Sequence, residues 1–158
     1  MKKKRKAFIV DIDGTLFDIS WRAQWLNGPE NTDWEKFLDP GNIMKDKPIP
    51  HVCELVNCIG AHYPIIFITG RNEGIREITK LQLDSVLRLR AYGLYMRPDT
   101  TMGQGKDADI KAQIYEDEIE KHFDIIGVFE DKQSVVDMWR SKGLQTYQVA
   151  EPPAPDGF

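Results

Sequence analysis

Short apolar runs alternate with amphipathic stretches along most of the chain. Residues 7–12 are apolar and rich in β-branched side chains, and residues 65–68, 94–96, 125–129 and 146–149 form further short runs of this kind. Near-continuous apolar runs bounded by turn residues read as strands buried on both faces. Between them, apolar residues recur at helical spacing. Val52, Leu55, Val56 and Ile59 mark a helix over residues 51–61, ended by Gly60. The pattern predicts further helices over residues 72–90, stopped near Gly93, over 107–121, and over 134–141, ending at Gly143. Strands alternating with helices imply an α/β fold: a doubly wound, mainly parallel five-stranded sheet covered on both faces.

Residues 17–50 break this rhythm. They are polar and irregular, yet hold Trp21, Trp25 and Trp34, three of the four tryptophans. One short helix is predicted over residues 33–38, closed by Pro40 and Gly41. A loop this long inside a compact domain is usually functional or disordered, and the tryptophans argue against disorder. The segment is expected to form a small lid or cap inserted after the first strand. Its tryptophans read either as a small core of its own or as a platform on which bases stack. Residues 151–158, with three prolines, read as a tail. There is no internal repeat, and 158 residues suit a single domain.

Composition narrows the function classes. A net charge of −4, from 21 basic and 25 acidic residues, argues against a protein whose main affinity is for bulk nucleic-acid backbone. It leaves room for a local basic site, such as the cluster at residues 2–6. No apolar run approaches the roughly 20 residues of a membrane span. The initial basic run meets only four apolar residues before Asp11, so it lacks the apolar stretch of a secretory signal. Cys53 and Cys58 cannot form a disulfide framework, which fits reduced thiols and a cytoplasmic location.

Three predicted strands end in polar residues. The first runs into Asp11-Ile-Asp13-Gly14-Thr15, the second into Thr69-Gly70-Arg71, and the fourth into Glu130-Asp131. In doubly wound sheets ligands bind beyond the carboxyl ends of the strands, so these groups should converge. Four acids, a threonine and an arginine at one place call for a divalent cation and an anionic group. Mg²⁺ takes a few carboxylate oxygens, waters and a substrate phosphate. One carboxylate can then attack phosphorus while a second moves the proton.

With these motifs in order, the chain resembles the haloacid-dehalogenase-like phosphatases, whose first motif is D-x-D-G-T. Thr69 matches that family's second motif, and Glu130-Asp131 its acid pair. Residues 106–150 are similar, more narrowly, to the 3′-phosphatase domain of phage-type polynucleotide kinase–phosphatases. The matching segments are Lys106-Asp-Ala-Asp-Ile-Lys111, His122-Phe-Asp124, Val135-Val-Asp-Met-Trp-Arg140 and Tyr147-Gln-Val-Ala150. The likeness extends over most of residues 7–16 and 64–76.

The resemblance implies roles residue by residue. Asp11 would be the nucleophile and Asp13 the general acid–base. Thr69 and Lys111 would bind the transferring phosphoryl, with Gly14, Thr15, Gly70 and Arg71 around the substrate. Asp11, the Asp13 carbonyl, Glu130 and Asp131 would hold Mg²⁺. Arg22 stands where the group has a second substrate-contacting arginine; a surface salt bridge is the alternative. Three departures stand out: Glu130 replaces the pair's usual first aspartate, Thr69 replaces serine, and the insert is longer and richer in tryptophan. The implied activity is Mg²⁺-dependent removal of 3′-phosphate from polynucleotide ends through an aspartyl-phosphate. A nucleotidase acting on nucleoside monophosphates is the alternative on the same residues, and a non-catalytic end-binding module is the alternative from another class. Gly103-Gln-Gly105-Lys106 does not make a kinase phosphate loop, since Thr100 and Asp107 stand where that motif needs Gly and Ser or Thr. A separate kinase or ligase is therefore an expected partner, in the cytoplasm (the host cell's for a phage-encoded chain).

Overall fold

The computed structural model describes residues 3–28, 31–101 and 104–149. The tail predicted over 151–158 lies outside them. The chain enters through β1 (Arg5–Val10), whose alternate side chains point to opposite faces and, from Ala7 onward, pack into the core on both. The insert follows: β2 (Phe17–Asp18), one 3₁₀ turn (Arg22–Trp25), the single-turn helices α1 (Trp34–Phe37) and α2 (Pro40–Ile43), and β3 (Lys47–Pro48), which pairs antiparallel with β2. The regular alternation then begins: α3 (Pro50–Gly60), β4 (Ile65–Asn72), α4 (Arg76–Val86), β5 (Gly93–Arg97), α5 (Asp107–Ile114), β6 (Phe123–Glu130), α6 (Gln133–Ser141) and β7 (Thr146–Gln148).

The five main strands lie in the order β5-β4-β1-β6-β7, and every pairing in this sheet is parallel. The doubly wound parallel sheet expected from the alternation is therefore present. On one face Val10, Phe67 and Phe129 pack with Val52 and Val56 of α3 and Leu83 of α4. On the other, Ile9, Ile66 and Val128 pack with Tyr115, Ile119, Val135 and Trp139. Each large apolar side chain removed from water in this way stabilises the fold by about 1.5–3 kcal/mol. The chain builds outward from β1 to β4 and β5, then returns to the far side for β6 and β7. The switch point therefore falls at the carboxyl end of β1, between β4 and β6.

Three elements differ from the sequence pattern, each for a local reason. The helix expected over residues 72–90 is shorter at both ends. At its start Asn72 is drawn into the ladder opposite Arg97, and Glu73–Ile75 form a 3₁₀ turn before the helix begins. At its end Leu87 turns extended, the Arg88 amide donates to Asn57 Oδ1 at 2.7 Å, and Leu89 covers Gly60. Secondly, α5 widens after Ile114 into a π-type turn over Tyr115–Ile119 that buries Tyr115 and Ile119. Finally, Pro40 does not close a helix but opens one. It sits at the first turn of α2, where its missing N–H costs nothing, and Asp39 caps that turn by accepting from the Asn42 amide at 2.9 Å. Among the described residues, no helix is long and apolar enough to cross a membrane.

Candidate active site

The turn after β1 is built around one carbonyl. Ile12 O accepts from the amides of Thr15, Leu16 and Phe17, which folds the chain back within five residues and leaves Asp11 and Asp13 on the carboxyl edge of the sheet. Gly14 makes the turn passable. Its φ of +81° is left-handed, and a Cβ there would lie 2.1 Å from Asp131 Oδ2. The backbone of the first strand's turn and the acid pair of β6 are thus in direct contact.

Asp11, Glu130 and Asp131 are all buried, and each offers an oxygen within 4.8 Å of the others. Lys111 Nζ, on α5, donates to Asp11 Oδ1 at 2.8 Å and to Glu130 Oε2 at 2.9 Å, with Asp107 Oδ2 at 3.5 Å. Thr15 Oγ1 stands 3.4 Å from Asp11 Oδ2 and 3.3 Å from Asp131 Oδ1, one hydroxyl between two carboxylates. The amides of Asp131 and Lys132 fix Glu130 Oε1 at 3.2 and 3.3 Å. Three buried carboxylates facing a single ammonium are short of positive charge. Burial, followed by the Glu130 charge, pushes Asp11 up to about 8 despite Lys111. Burial and then the Asp11 charge push Asp131 up to about 10. Burial by itself would lower Lys111, but Asp107, Asp11 and Glu130 outweigh it and raise it well above its ordinary value. An all-oxygen donor set with a charge deficit suits a hard divalent cation.

A second network adjoins the first. Asp13 receives a bidentate contact from Arg71, Nη2 to Oδ1 at 2.7 Å and Nε to Oδ2 at 3.0 Å, and a further bond from Arg22 Nη2 at 2.9 Å. Burial would raise this carboxyl, but Arg71 and Arg22 together hold it well below the usual carboxylate range. Arg22 also grips Asp46 through Nε at 2.8 Å and Nη2 at 2.6 Å, donates to Phe37 O at 2.7 Å, and lies 4.5 Å over the Phe37 ring. Asp46 accepts in addition from Trp21 Nε1 at 3.0 Å. Burial raises the Asp46 carboxyl although Arg22 pulls the other way. The insert is therefore tied to the catalytic edge by charge as well as by its apolar side chains.

The structure brings together Asp11, Asp13, Gly14, Thr15, Thr69, Gly70, Arg71, Lys111, Glu130 and Asp131 around the carboxyl ends of β1, β4 and β6. Thr69 is fully buried, its Oγ1 accepting from the Arg71 amide at 3.2 Å. Gly70 matters through space: a Cβ there would lie 2.5 Å from Asp107 Oδ1. Arg22 corrects the surface salt bridge reading, because its side chain is 0% exposed and the bridge is internal. Trp21 and Trp25 pack edge to face at 5.2 Å, and Trp34 packs on Phe37 at 6.0 Å, so the tryptophans hold the insert together.

Sequence reasoning passed over two acids. Asp107 lies one helical turn before Lys111 on the same face, which is a readable signal; its Oδ1 is buried without a hydrogen-bond partner and stands 3.7 Å from Arg97. Asp46 carried no such signal, since nothing in its spacing ties it to Arg22, 24 residues earlier.

A parallel sheet whose middle strand carries one buried aspartate to a lysine and an acid pair is the arrangement of haloacid-dehalogenase-like phosphatases. Solved structures agree on the fold: a haloacid dehalogenase-like hydrolase, SP0104 of Streptococcus pneumoniae, superposes with a TM-score of 0.60 over 92% of this chain and 84% of its own, at 13% identity. Within that class, the chain belongs to the family described as the polynucleotide kinase PNKP phosphatase domain, whose model matches residues 5–153. A chain from the Pnkp1/Rnl/Hen1 RNA repair complex matches with a TM-score of 0.77 and 25% identity, over 96% of this chain and 44% of its own. A protein of Autographa californica nuclear polyhedrosis virus, named "Putative bifunctional polynucleotide kinase/RNA ligase", is 31% identical over 142 residues, which is 89% of this chain and 19% of the viral protein. The chain thus spans about a fifth of the viral relative and under half of the repair-complex chain.

Proposed function

We propose that the chain is a Mg²⁺-dependent phosphomonoesterase that removes 3′-phosphate from polynucleotide ends through an aspartyl-phosphate on Asp11. The observation that carries this reading is the buried Asp11–Glu130–Asp131 triad with Lys111 as its ammonium. Asp11, Glu130 and Asp131, with the Asp13 carbonyl, would hold the ion, which supplies charge neutralisation for a carboxylate approaching an anionic phosphate. Lys111 and Thr69 bind the transferring phosphoryl. Asp11 Oδ attacks phosphorus as the ester P–O bond breaks, and Asp13 gives its proton to the departing 3′-oxygen. Asp13 then takes a proton from water, whose oxygen attacks the phosphorus of the aspartyl-phosphate. Inorganic phosphate leaves and Asp11 is regenerated.

Arg71 and Arg22 favour the ionised form of Asp13, the form needed in the second half-reaction. The dianionic phosphate offsets those guanidinium charges when it binds, which allows the protonated form needed first. The family match and the similarity to an RNA repair complex chain favour a polynucleotide end as substrate, with a separate kinase or ligase as partner.

The test compares Mg²⁺-dependent phosphate release from a 3′-phosphorylated oligonucleotide and from 5′-mononucleotides, with Asp11→Asn as control. Preference for the oligonucleotide supports the proposal. Preference for mononucleotides makes the chain a nucleotidase. Turnover by Asp11→Asn equal to the parent removes Asp11 as nucleophile.

A further inference from the structure

A second feature lies at the opposite end of the sheet, where the strands begin. A cavity of about 430 Å³ opens between the start of β1, the α3–β4 loop and the α4–β5 loop. Arg5, His62, Tyr63, Arg90 and Tyr92 line it, together with small residues and Pro64, and no carboxylate does. Arg5 lies 5.8 Å over the Tyr92 ring. Tyr63 and Tyr92 are exposed at 38% and 56%, in a protein whose other large apolar rings are mostly packed away. Among the described residues neither Arg5 nor Arg90 has an ion-pair partner, in contrast to Arg22, Arg71, Arg76, Arg88 and Arg97. Two unpaired guanidinium groups and two exposed rings, in a chain of net charge −4, form a local exception to the overall charge.

The cavity does not end at Arg90. Arg90, Ala91 and Tyr92 also form the wall of a cleft of about 350 Å³ between α4 and β5, which extends to Lys80 and Arg76 and has one carboxylate, Asp84, in its lining. Arg76 opens α4 at the catalytic end of the sheet, whereas residues 87–92 follow that helix at the other end. The depression therefore runs from the first turns of α4, where Arg76 donates to Leu94 O at 3.0 Å and pairs with Glu73 and Lys80 pairs with Glu77, to the amino edge, where Arg5 and Arg90 stand.

The geometry points to this depression as the track for the body of a single-stranded polynucleotide, with one nucleotide in the Arg5–Arg90–Tyr63–Tyr92 cavity. The inference rests on the reading of the substrate as a polynucleotide end. Guanidinium groups take phosphate, and exposed tyrosine rings take a base face without regard to sequence. Acidic protein surfaces lack the base-sized planar groups that two exposed rings favour. The length is also informative. The eight residues of β4 span about 26 Å at about 3.3 Å each. At about 3.4 Å per stacked nucleotide that distance covers about eight nucleotides. The cavity thus contacts the strand well upstream of the reacting end.

The experiment measures binding of a fluorescent 12-nucleotide single strand ending in a 3′-hydroxyl, which has no phosphate to lose, by anisotropy over a series of salt concentrations. The parent protein is compared with Arg5→Gln/Arg90→Gln. The expected result is at least tenfold weaker binding by the variant, a salt slope lower by about 1.4, as for two lost phosphate contacts on a single strand, and unchanged hydrolysis of p-nitrophenyl phosphate. Tyr92→Ala, made separately, should weaken binding without changing the salt slope. Equal affinity of parent and double variant, or no binding by the parent, overturns the track. Displacement of nothing but polyglutamate, with the oligonucleotide indifferent to both arginines, overturns it in favour of an acidic protein partner. Phosphate release from the same 12-nucleotide strand carrying a 3′-phosphate is measured alongside. Its absence counts against the proposed function and leaves the binding result to decide the track.

Discussion

Asp11 and Asp13 differ by one intervening residue and have opposite electrostatic surroundings. Asp11 is crowded by acids and offset by one lysine, whereas Asp13 is gripped by two arginines. Replacing either by Asn preserves shape but removes the charge. Asp11→Asn is expected to lower phosphate release at least 1,000-fold with the far-ultraviolet circular dichroism unchanged, because loss of the proposed nucleophile cannot be made good by its neighbours. Gly14 shows how narrow the tolerance is. Gly14→Ala forces a left-handed residue that costs about 1 kcal/mol or more and drives a methyl into the Asp131 carboxylate. Mg²⁺ titration of activity should then require at least tenfold more ion; an unchanged titration would show that the turn relaxes without moving Asp131. Most of this centre was legible because D-x-D-G-T, Thr-Gly-Arg and the acid pair each end a predicted strand, whereas Lys111, inside a predicted helix, came only from the resemblance to a known family. What stayed hidden is pairing between distant residues. Arg22 and Asp46 both lie in a stretch without periodicity, so no spacing relates them.

At the level of elements, the insert is held by a charged joint. Arg22 and Asp46 are both 0% exposed in their side chains and sit between the 3₁₀ turn, α1 and Asp13. Removing one partner of a buried pair leaves the other charge uncompensated, at a cost of about 3–5 kcal/mol. Asp46→Ala is expected to lower the free energy of unfolding by that order, measured by denaturant titration. It should also reduce turnover, because Arg22 released from Asp46 no longer approaches Asp13 in a fixed orientation. A variant with parental stability and parental kcat would show that the insert does not depend on this joint. The sequence pattern placed all five strands of the sheet and the helices α3, α5 and α6, but on α3 it put Leu55, which is 46% exposed, on the buried face and left out Cys53, which is buried. It misjudged α4 at both ends and Pro40, where ladder pairing with β5, the Asn57 side chain and the Asp39 cap decided the outcome. Those are tertiary or single-atom effects that periodicity does not contain.

For the molecule as a whole, the concentration of buried acid at one end of the sheet links folding to pH and to metal. A carboxyl near 4 in the unfolded chain that rises to about 8 at Asp11 and about 10 at Asp131 retains its proton on folding. Below about pH 4 both states are protonated and the shift has no effect. As pH rises from about 4 toward about 8 and then 10, the unfolded chain releases protons that the folded chain still holds, so stability falls across that window. Asp13 acts in the opposite sense: its lowered value adds stability that is present above about pH 4 and lost as the pH falls below it. The metal-free protein is therefore expected to be most stable in weak acid and to lose stability toward pH 9. Mg²⁺ held at the proposed site would bind the ionised carboxylates and compete with their protons, so its stabilisation would grow in the direction in which the metal-free protein weakens. Thermal denaturation with EDTA and with excess Mg²⁺, at pH 5.5 and at pH 8.5, measures both slopes. The expected result is a Tm that falls with pH in EDTA and a Mg²⁺ increment larger at pH 8.5. An increment that is absent, or equal at the two pH values, would mean that Asp11, Glu130 and Asp131 do not hold the ion, and the charge deficit at the heart of the site would need another cation.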